Sequence, residues 1–248
     1  MKAFFAALRF LTPVRVPASW CGGDLELRLS PVYYPWVGLV IGGTVAAVGY
    51  GLGRVLPSLA ASAFVVVLLV AASGGLHADG LADTADGFFS SRSKERVLEI
   101  MRDSRTGAMG VIAIVAVMTI KFSLVAAVGG PLQWRTVLLM PIAGRCALLL
   151  AMALFPYARA DGGLASVLLI PRKRSAVVTA WAMVALLVAG WLTGSFRGIA
   201  AAAASAAVAI LIGLYAYRKI GGYTGDTLGA TCEVVELTPV FVAAIWTG

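Results

Sequence analysis

The stretch SAVVTAWAMVALLVAGWLTGSF (Ser175–Phe196) contains no Asp, Glu, Lys or Arg, and a second charge-free stretch, Gly198–Tyr217, follows it after a single arginine. A helix needs about 20 apolar residues to cross the hydrocarbon core of a membrane. The windows Leu29–Gly53 and Val55–Leu76 are also free of charge and at least as long. A soluble protein can bury one such helix, whereas four of them predict an all-α, polytopic membrane protein.

The composition of the 248-residue chain agrees with this class. Hydrophobic residues make up 60% of it and charged residues 13%, against about 25% charged residues in an average soluble domain. We expect a single membrane domain, 1–248, whose helices contact membrane lipid. The predicted spans are seven: 34–54, 58–75, 108–128, 134–154, 176–194, 198–217 and 230–248.

The distribution of basic residues predicts the orientation of these spans. Fifteen of the 20 Lys and Arg residues fall on the side of the N-terminus, and only Arg54, Arg135 and Arg197 fall on the other. Lys and Arg accumulate in the cytoplasmic loops of membrane proteins, so the N-terminus is predicted to be cytoplasmic. Basic loops also explain the net charge of +8, and no nucleic-acid partner is expected.

Several kinds of chemistry lack support in the sequence. The three cysteines, Cys21, Cys146 and Cys232, are far apart and show no paired metal-ligand spacing, so neither a disulfide nor a zinc site is predicted. No HExxH, CxxC or GxxxxGK[ST] motif is present. The first eleven residues contain Arg9 within their apolar part, which favours an interfacial amphipathic helix over a signal peptide.

The segment LHADGLADTADG (Leu76–Gly87) carries the clearest chemical signal. It contains Asp79, Asp83 and Asp86 beside His77, the only histidine of the chain. In a helix, spacings of four and three residues place the three carboxylates on one face. Carboxylates held together repel one another unless a cation lies between them, and Mg²⁺ prefers such oxygen ligands. We predict catalytic, magnesium-binding aspartates; His77 is a general base, a phosphate donor or a structural residue.

The residues that follow extend this region to a predicted cytoplasmic, Asp-rich catalytic loop over 76–107. Lys94–Met101 is expected to form an amphipathic helix within it. Arg102 and Arg105 lie three residues apart and can form a fork that binds phosphate oxygens. Asp103, between them, is a candidate catalytic residue.

A second block, IGGYTGDTLGATCEVVEL (Ile220–Leu237), predicts a cytoplasmic Gly-rich loop over 218–229. Its glycines, Gly222 among them, permit tight turns and close approach of the backbone to a ligand. Thr224 and Asp226 are candidate substrate-binding residues, and Asp226 also a metal ligand; alternatively, one of the two simply caps the next helix.

The remaining candidates are polar groups in or near apolar spans. Glu233 and Glu236 are predicted metal ligands because charges inside a membrane helix are costly and usually functional or paired. Arg145 is a counter-charge for a buried carboxylate or for substrate phosphate. Tyr157 and Arg159 bind substrate or anchor the chain at the membrane interface. Carboxylates for Mg²⁺ and arginines for phosphate together indicate metal-assisted phosphoryl transfer.

These blocks resemble the cobalamin synthase (adenosylcobinamide-GDP ribazoletransferase) family, and the similarity runs over nearly the whole chain. The resemblance implies that α-ribazole, or its 5′-phosphate, attacks the cobinamide-linked phosphorus of adenosylcobinamide-GDP, so that GMP leaves and Mg²⁺ is required. It further implies a multi-pass protein of the bacterial cytoplasmic (inner) membrane with a cytoplasmic active site. The matching blocks are Leu8–Pro17, Gly74–Gly87, Leu98–Gly110, Tyr157–Leu164 and Gly221–Leu237.

Three alternatives remain at this stage. The aspartate block also resembles part of the motif of CDP-alcohol phosphotransferases, although their closing aspartates do not follow at the expected spacing. An aspartate-rich prenyltransferase would need a second Asp-rich motif, whereas the second block here has one aspartate and two glutamates. A secondary transporter would place its site near the bilayer midplane, often with internal repeats, and no clear repeat is found.

Overall fold

The computed structural model describes residues 1–159, 162 and 167–246, and in this part of the chain every regular element is a helix. The predicted all-α class is therefore confirmed. The helices are α1 (Lys2–Leu11), α2 (Ala18–Cys21), α3 (Asp24–Leu29), α4 (Tyr34–Leu52), α5 (Ser58–Ala72), α6 (Leu76–Phe88), α7 (Lys94–Ile100), α8 (Ala108–Ala127), α9 (Gly130–Leu154), α10 (Ser175–Ile220) and α11 (Gly225–Ile245).

The long apolar helices form a membrane bundle, as predicted. Five of the described helices are long and apolar enough to cross a membrane, and a sixth crossing results if α5 and α6 are one broken span. Each predicted span falls on a helix, with both 176–194 and 198–217 lying in α10. The end of the span 230–248 lies outside the described residues. The number of crossings stays a prediction.

Helix α10 is two helices joined by a sharp break at Ser195, whose backbone has φ 52° and ψ −128°. Eight residues of a straight helix span about 12 Å. Gly190 and Gly198 are eight residues apart, yet their backbones touch so closely that a Cβ on Gly198 would overlap the Gly190 carbonyl. The chain therefore reverses at Ser195, and the two halves pack as a hairpin through glycine, as small residues allow in membrane helix pairs.

Helices α5 and α6 meet at an angle of 86°. Gly74 and Gly75 form the bend, with φ of 61° and 78°, a region that L-residues with side chains avoid. Because of this bend, α6 leaves the direction of α5 and packs against α11 and α8. The aspartate segment is thus a helix lying across the ends of other helices.

Helix α9 forms the centre of the bundle and is buried over most of its length. Helix α4 approaches it through Gly38, where a Cβ would lie 2.7 Å from the Pro141 carbonyl oxygen, and α10 and α11 cover its other sides. The outer helices expose large apolar side chains, such as Ile112 at 58% and Leu192 at 76%. Such surfaces are stable in contact with lipid rather than water.

The two ends of the bundle differ in charge as the sequence predicts. Arg54 stacks over the ring of Tyr50, which in turn contacts Trp134. Arg135 and Arg197 line one cavity at the same end. The three arginines predicted on the far side of the membrane therefore share one end of the bundle. Helix α9 runs from there to the opposite end, where the aspartates lie.

The two predicted loops are shorter than expected. The segment 76–107 is mostly helical, because it contains α6 and the predicted amphipathic helix α7, whose Val97 is buried. In place of the predicted loop 218–229, the structure has a loop of only four residues, Gly221–Thr224, between α10 and α11. Gly221, with φ 84°, ends α10 in the left-handed conformation, and Thr224 caps α11.

Candidate active site

The two acidic blocks of the sequence meet where α6 crosses the first turns of α11. A Cβ on Gly80 would lie 2.7 Å from the Asp226 carbonyl oxygen, and one on Gly229 would lie 3.0 Å from the His77 carbonyl oxygen. The two backbones therefore touch, because glycine leaves no side chain between them. This crossing places Asp79 and Asp83 of α6 near Asp226.

The carboxylates at this crossing share one electrostatic environment. Burial raises the pKa of Asp83, and the nearby negative charges of Asp79 and Asp226 act in the same direction, so that the pKa reaches about 7. Arg159 is the cation that opposes this shift. The acidic side chains outnumber their cationic partner, so the site favours an additional positive charge.

Asp226 is fixed in place by the start of α11 and by Arg159. An Arg159 Nη2–H donates to Asp226 Oδ2 over 2.7 Å, and the two side chains are 12% and 21% exposed. The Thr224 hydroxyl donates to the same carboxylate oxygen over 3.3 Å, and it also accepts the Thr227 amide at the helix start. The capping prediction holds for Thr224, and one carboxylate oxygen of Asp226 accepts hydrogen bonds from both Arg159 and Thr224.

Arg159 reaches Asp226 because two chain segments pair directly beside the crossing. The Ala158 amide donates to the Tyr223 carbonyl over 2.8 Å, and the Tyr223 amide donates to the Pro156 carbonyl over 2.9 Å. A Cβ at Gly222 would overlap the Pro156 carbonyl, so only glycine permits this pairing. Gly222 thus serves the architecture of the site. The Tyr157 and Tyr223 rings, 5.5 Å apart, close the same contact edge to face.

A cavity of about 770 Å³, including its open mouth, lies between these elements. Five predicted site residues line it: His77, Asp79, Tyr157, Arg159 and Asp226. Its remaining wall is mostly apolar and comes from α1, α4, α6, α9, α11 and the segment before α10. The structure therefore brings residues from five separate parts of the sequence around one cavity.

Asp86 faces the start of α8 rather than this cavity. Its Oδ2 accepts the Gly107 amide over 2.7 Å, and its Oδ1 accepts the Gly110 amide over 2.9 Å. The first amides of a helix have no partners within the helix, so Asp86 caps α8 from a neighbouring helix. The metal role predicted for Asp86 stays a prediction.

The predicted phosphate fork lies on the surface and does not line the cavity. Arg105 donates through Nε and Nη2 to the two Asp103 carboxylate oxygens over 3.0 and 2.7 Å. These hydrogen bonds lower the pKa of Asp103 to about 2. Arg102 is exposed. The catalytic role of Asp103 and the substrate-binding roles of the two arginines remain predictions from sequence.

Glu233 and Glu236 lie deeper in the bundle, in a buried ion-pair network. Lys121 Nζ donates to Glu233 over 2.6 Å and to Glu236 over 2.9 Å, and Arg145 donates to Glu236. All four side chains are at most 4% exposed. The sequence analysis expects both glutamates to join the aspartates at a metal; the structure instead gives them cationic partners.

This network answers two questions that the sequence leaves open. Of the two predicted partners of Arg145, the buried carboxylate is the one observed. Lys121 had no predicted partner, although charged groups within spans normally pair with one another. Tyr34 is a further cavity residue that sequence reasoning misses, since a tyrosine at the start of a span is typical of membrane interfaces.

Comparison with known proteins identifies the family of this chain. The family model described as cobalamin-5-phosphate synthase matches residues 3–244. An adenosylcobinamide-GDP ribazoletransferase of Desulforamulus reducens is 40% identical over 88% of this chain and 86% of its own length. The enzymes of that name from Roseiflexus sp. and Herpetosiphon aurantiacus are 41% and 36% identical, over 93% and 98% of this chain and 85% and 96% of their own lengths.

No solved structure matches this chain. The match to the family model covers nearly every element around the cavity, from α1 to α11. The relatives named above extend over most of both sequences. The chain therefore belongs to the cobalamin-5-phosphate synthase family.

Proposed function

We propose that this protein is an adenosylcobinamide-GDP ribazoletransferase, which joins α-ribazole or its 5′-phosphate to adenosylcobinamide-GDP. Its relatives carry this name. The observation that carries the proposal is the convergence of Asp79, Asp226 and Arg159 on one cavity at one end of a membrane bundle. A carboxylate cluster beside an arginine suits a diphosphate substrate.

The reaction exchanges one phosphorus–oxygen bond for another. A ribose hydroxyl of the acceptor attacks the phosphorus that carries cobinamide, and a new phosphodiester bond forms. The phosphoanhydride bond to GMP breaks, and GMP leaves with the electron pair. The hydroxyl proton passes to a base or to solvent; the carboxylate of Asp79, which lines the cavity, is placed to receive it.

We further propose that one or two of the carboxylates of Asp79, Asp83 and Asp226 hold Mg²⁺ together with the substrate phosphates. No group of three metal-ligating side chains within the described residues could hold an ion by itself. Mg²⁺ commonly uses one or two carboxylates plus substrate phosphates, so this sparse carboxylate set fits. When bound, the ion neutralises phosphate charge and stabilises the leaving group. Glu233 and Glu236 are not part of this set, because they form ion pairs with Lys121 and Arg145.

Arg159 is placed to bind a substrate phosphate. Its guanidinium is oriented by Asp226, and its buried Nε has no hydrogen-bond partner within the described residues. A guanidinium that is already oriented loses little side-chain entropy when an anion binds. The predicted substrate role of Arg159 thus has geometric support.

The site is proposed to face the cytoplasm of a bacterial inner membrane. The aspartates lie at the end of the bundle opposite Arg54, Arg135 and Arg197, and the pattern of the sequence assigns fifteen of the 20 Lys and Arg residues to the side of the aspartates. The positive-inside rule assigns that end to the cytoplasm. Nucleotide substrates are available on this side.

A direct assay tests the proposal. The full-length protein in lipid nanodiscs receives adenosylcobinamide-GDP, α-ribazole and Mg²⁺, and chromatography follows the cobamide product and GMP. Equal amounts of both should form, and a chelator should stop the reaction until Mg²⁺ is restored. Turnover of isoprenyl diphosphate or of a CDP-alcohol, without cobamide and GMP, would contradict the proposal. So would solute flux without formation of a phosphodiester.

A further inference from the structure

The wall of the active-site cavity has two chemically different parts. The acidic part consists of Asp79, Asp226 and Arg159, where the cavity opens. The other part is buried and mostly apolar. Its apolar side chains, all at most 3% exposed, are Leu11, Leu148, Met152 and Leu168.

Two polar groups stand in this buried part of the wall. Tyr34 is 1% exposed and His77 is 4% exposed, and both line the cavity. His77 Nε2 has no hydrogen-bond partner among the residues that the structure describes, and the Tyr34 hydroxyl has only the nearby Ser30 hydroxyl, which itself has no other partner there. Buried polar atoms are nearly always paired, and leaving one unpaired destabilises the fold. An unpaired imidazole nitrogen and an incompletely paired tyrosine hydroxyl in one cavity wall indicate a ligand that pairs with them.

The chemistry of this wall selects among the parts of the two proposed substrates. Guanine carries hydrogen-bonding groups along most of its edge and would leave several of them unpaired against leucine and methionine. The corrin of cobinamide is surrounded by amide groups, which an apolar wall would also leave without hydrogen-bond partners. The dimethylbenzimidazole base of α-ribazole is flat and apolar, with a single free ring nitrogen, and its ribose adds hydroxyl groups. It matches an apolar wall with two polar atoms.

We infer that the buried part of the cavity is the acceptor site, where Leu11, Leu148 and Met152 enclose the base of α-ribazole. Tyr34 and His77 hydrogen-bond to its ring nitrogen or ribose. This inference rests on the proposed function. With the base in the buried part, the ribose points toward Asp79 and Asp226, where its hydroxyl meets the phosphorus. The wall thereby orients the nucleophile and selects the base.

The first test separates acceptor binding from donor binding. In the Tyr34→Phe variant, the KM for α-ribazole should rise about five- to tenfold, as for loss of one hydrogen bond. The KM for adenosylcobinamide-GDP, measured at saturating α-ribazole, should not change. Tyr33→Phe removes the same hydroxyl one residue away, outside the cavity, and should alter neither constant. A rise confined to the donor KM would overturn the inference.

The second test changes the base. Wild-type protein should use the riboside of benzimidazole, which lacks both methyl groups, with a kcat/KM at least tenfold lower than that of α-ribazole, because each methyl loses apolar contact. Met152→Ala should reduce this discrimination by enlarging the apolar wall. Equal use of both ribosides by wild-type protein would overturn the inference.

Binding measurements distinguish this inference from the proposed function. Calorimetry of α-ribazole binding to the protein in nanodiscs needs no turnover. If cobamide and GMP form but Tyr34→Phe leaves α-ribazole affinity unchanged, the acceptor site is wrong and the function stands. If α-ribazole binds in a Tyr34-dependent manner without any turnover, the acceptor site stands and the function is wrong.

Discussion

Helix α11 carries carboxylates in two regions with opposite electrostatic environments. At its first turn, Asp226 faces the aspartates of α6 with Arg159 as the one cation. About 10 Å further along, Glu233 and Glu236 are matched by Lys121 and Arg145. The first region carries excess negative charge at an open cavity, and the second is neutral and closed. Both regions contain carboxylates, so what distinguishes a binding site from a structural ion-pair network is whether cations of the protein neutralise them.

The neutral region explains how α11 is held. Lys121 comes from α8, which otherwise buries little of its surface, and Arg145 comes from the central α9. Each ion pair ties α11 to a different helix within the apolar bundle, where an unpaired charge is very costly. Since Asp226 lies on the same helix, this network positions the acidic region as well.

Loss of one cation from the closed network should produce the largest effect. Lys121→Met leaves Glu233 without its partner, and breaking a buried ion pair in this way costs about 3–5 kcal/mol. We expect a clear fall in the thermal unfolding midpoint in detergent, measured by tryptophan fluorescence. The double variant Lys121→Met/Glu233→Gln removes the orphaned charge and should recover part of the loss. An unchanged midpoint in the single variant would show that the network does not hold α11.

Removal of one charge from the open region should instead affect turnover. Asp83→Asn keeps the side-chain shape but removes a proposed Mg²⁺ ligand, and loss of one charge-stabilising group costs about 10²–10³-fold in kcat. The unfolding midpoint should stay the same or rise, because the substitution relieves repulsion among carboxylates. The matched control is Asp24→Asn on α3, outside the cavity, with normal turnover. Near-normal activity of Asp83→Asn would remove this carboxylate from the proposed metal set.

The open region was largely predictable from sequence, and the closed one only in part. Spacing within Leu76–Gly87 gives the helical face, and charge asymmetry puts Asp226 at the same end of the bundle. Such inferences need only periodicity and topology. The pairing of Lys121 with Glu233, 112 residues away, depends on which helices are neighbours and on their rotation. A single sequence carries no signal for either.

The same limit explains the misses around the cavity. Tyr34 becomes a cavity residue only because α4 packs on α9 with its tyrosine turned inward, and no local pattern encodes that contact. Gly222 was predicted to approach a ligand, whereas it approaches the Pro156 carbonyl; the glycine signal gives close contact without naming the partner. By contrast, the chain reversal at Ser195 agrees with the sequence, because Arg197 separates two apolar stretches that are predicted as separate spans.

Asp86 belongs neither to the open cavity nor to the buried ion-pair network, and its substitution should have the smallest effect on stability and turnover. Its carboxylate caps α8 through the Gly107 and Gly110 amides, and replacing a capping carboxylate costs about 0.5–2 kcal/mol. In Asp86→Asn, an amide oxygen can still accept one of these hydrogen bonds. We therefore expect a small fall in the unfolding midpoint and a kcat within about threefold of wild type, well short of the 10²–10³-fold scale for losing a charge-stabilising group. A loss of turnover equal to that of Asp83→Asn, at an unchanged midpoint, would place Asp86 in the open region as a metal ligand.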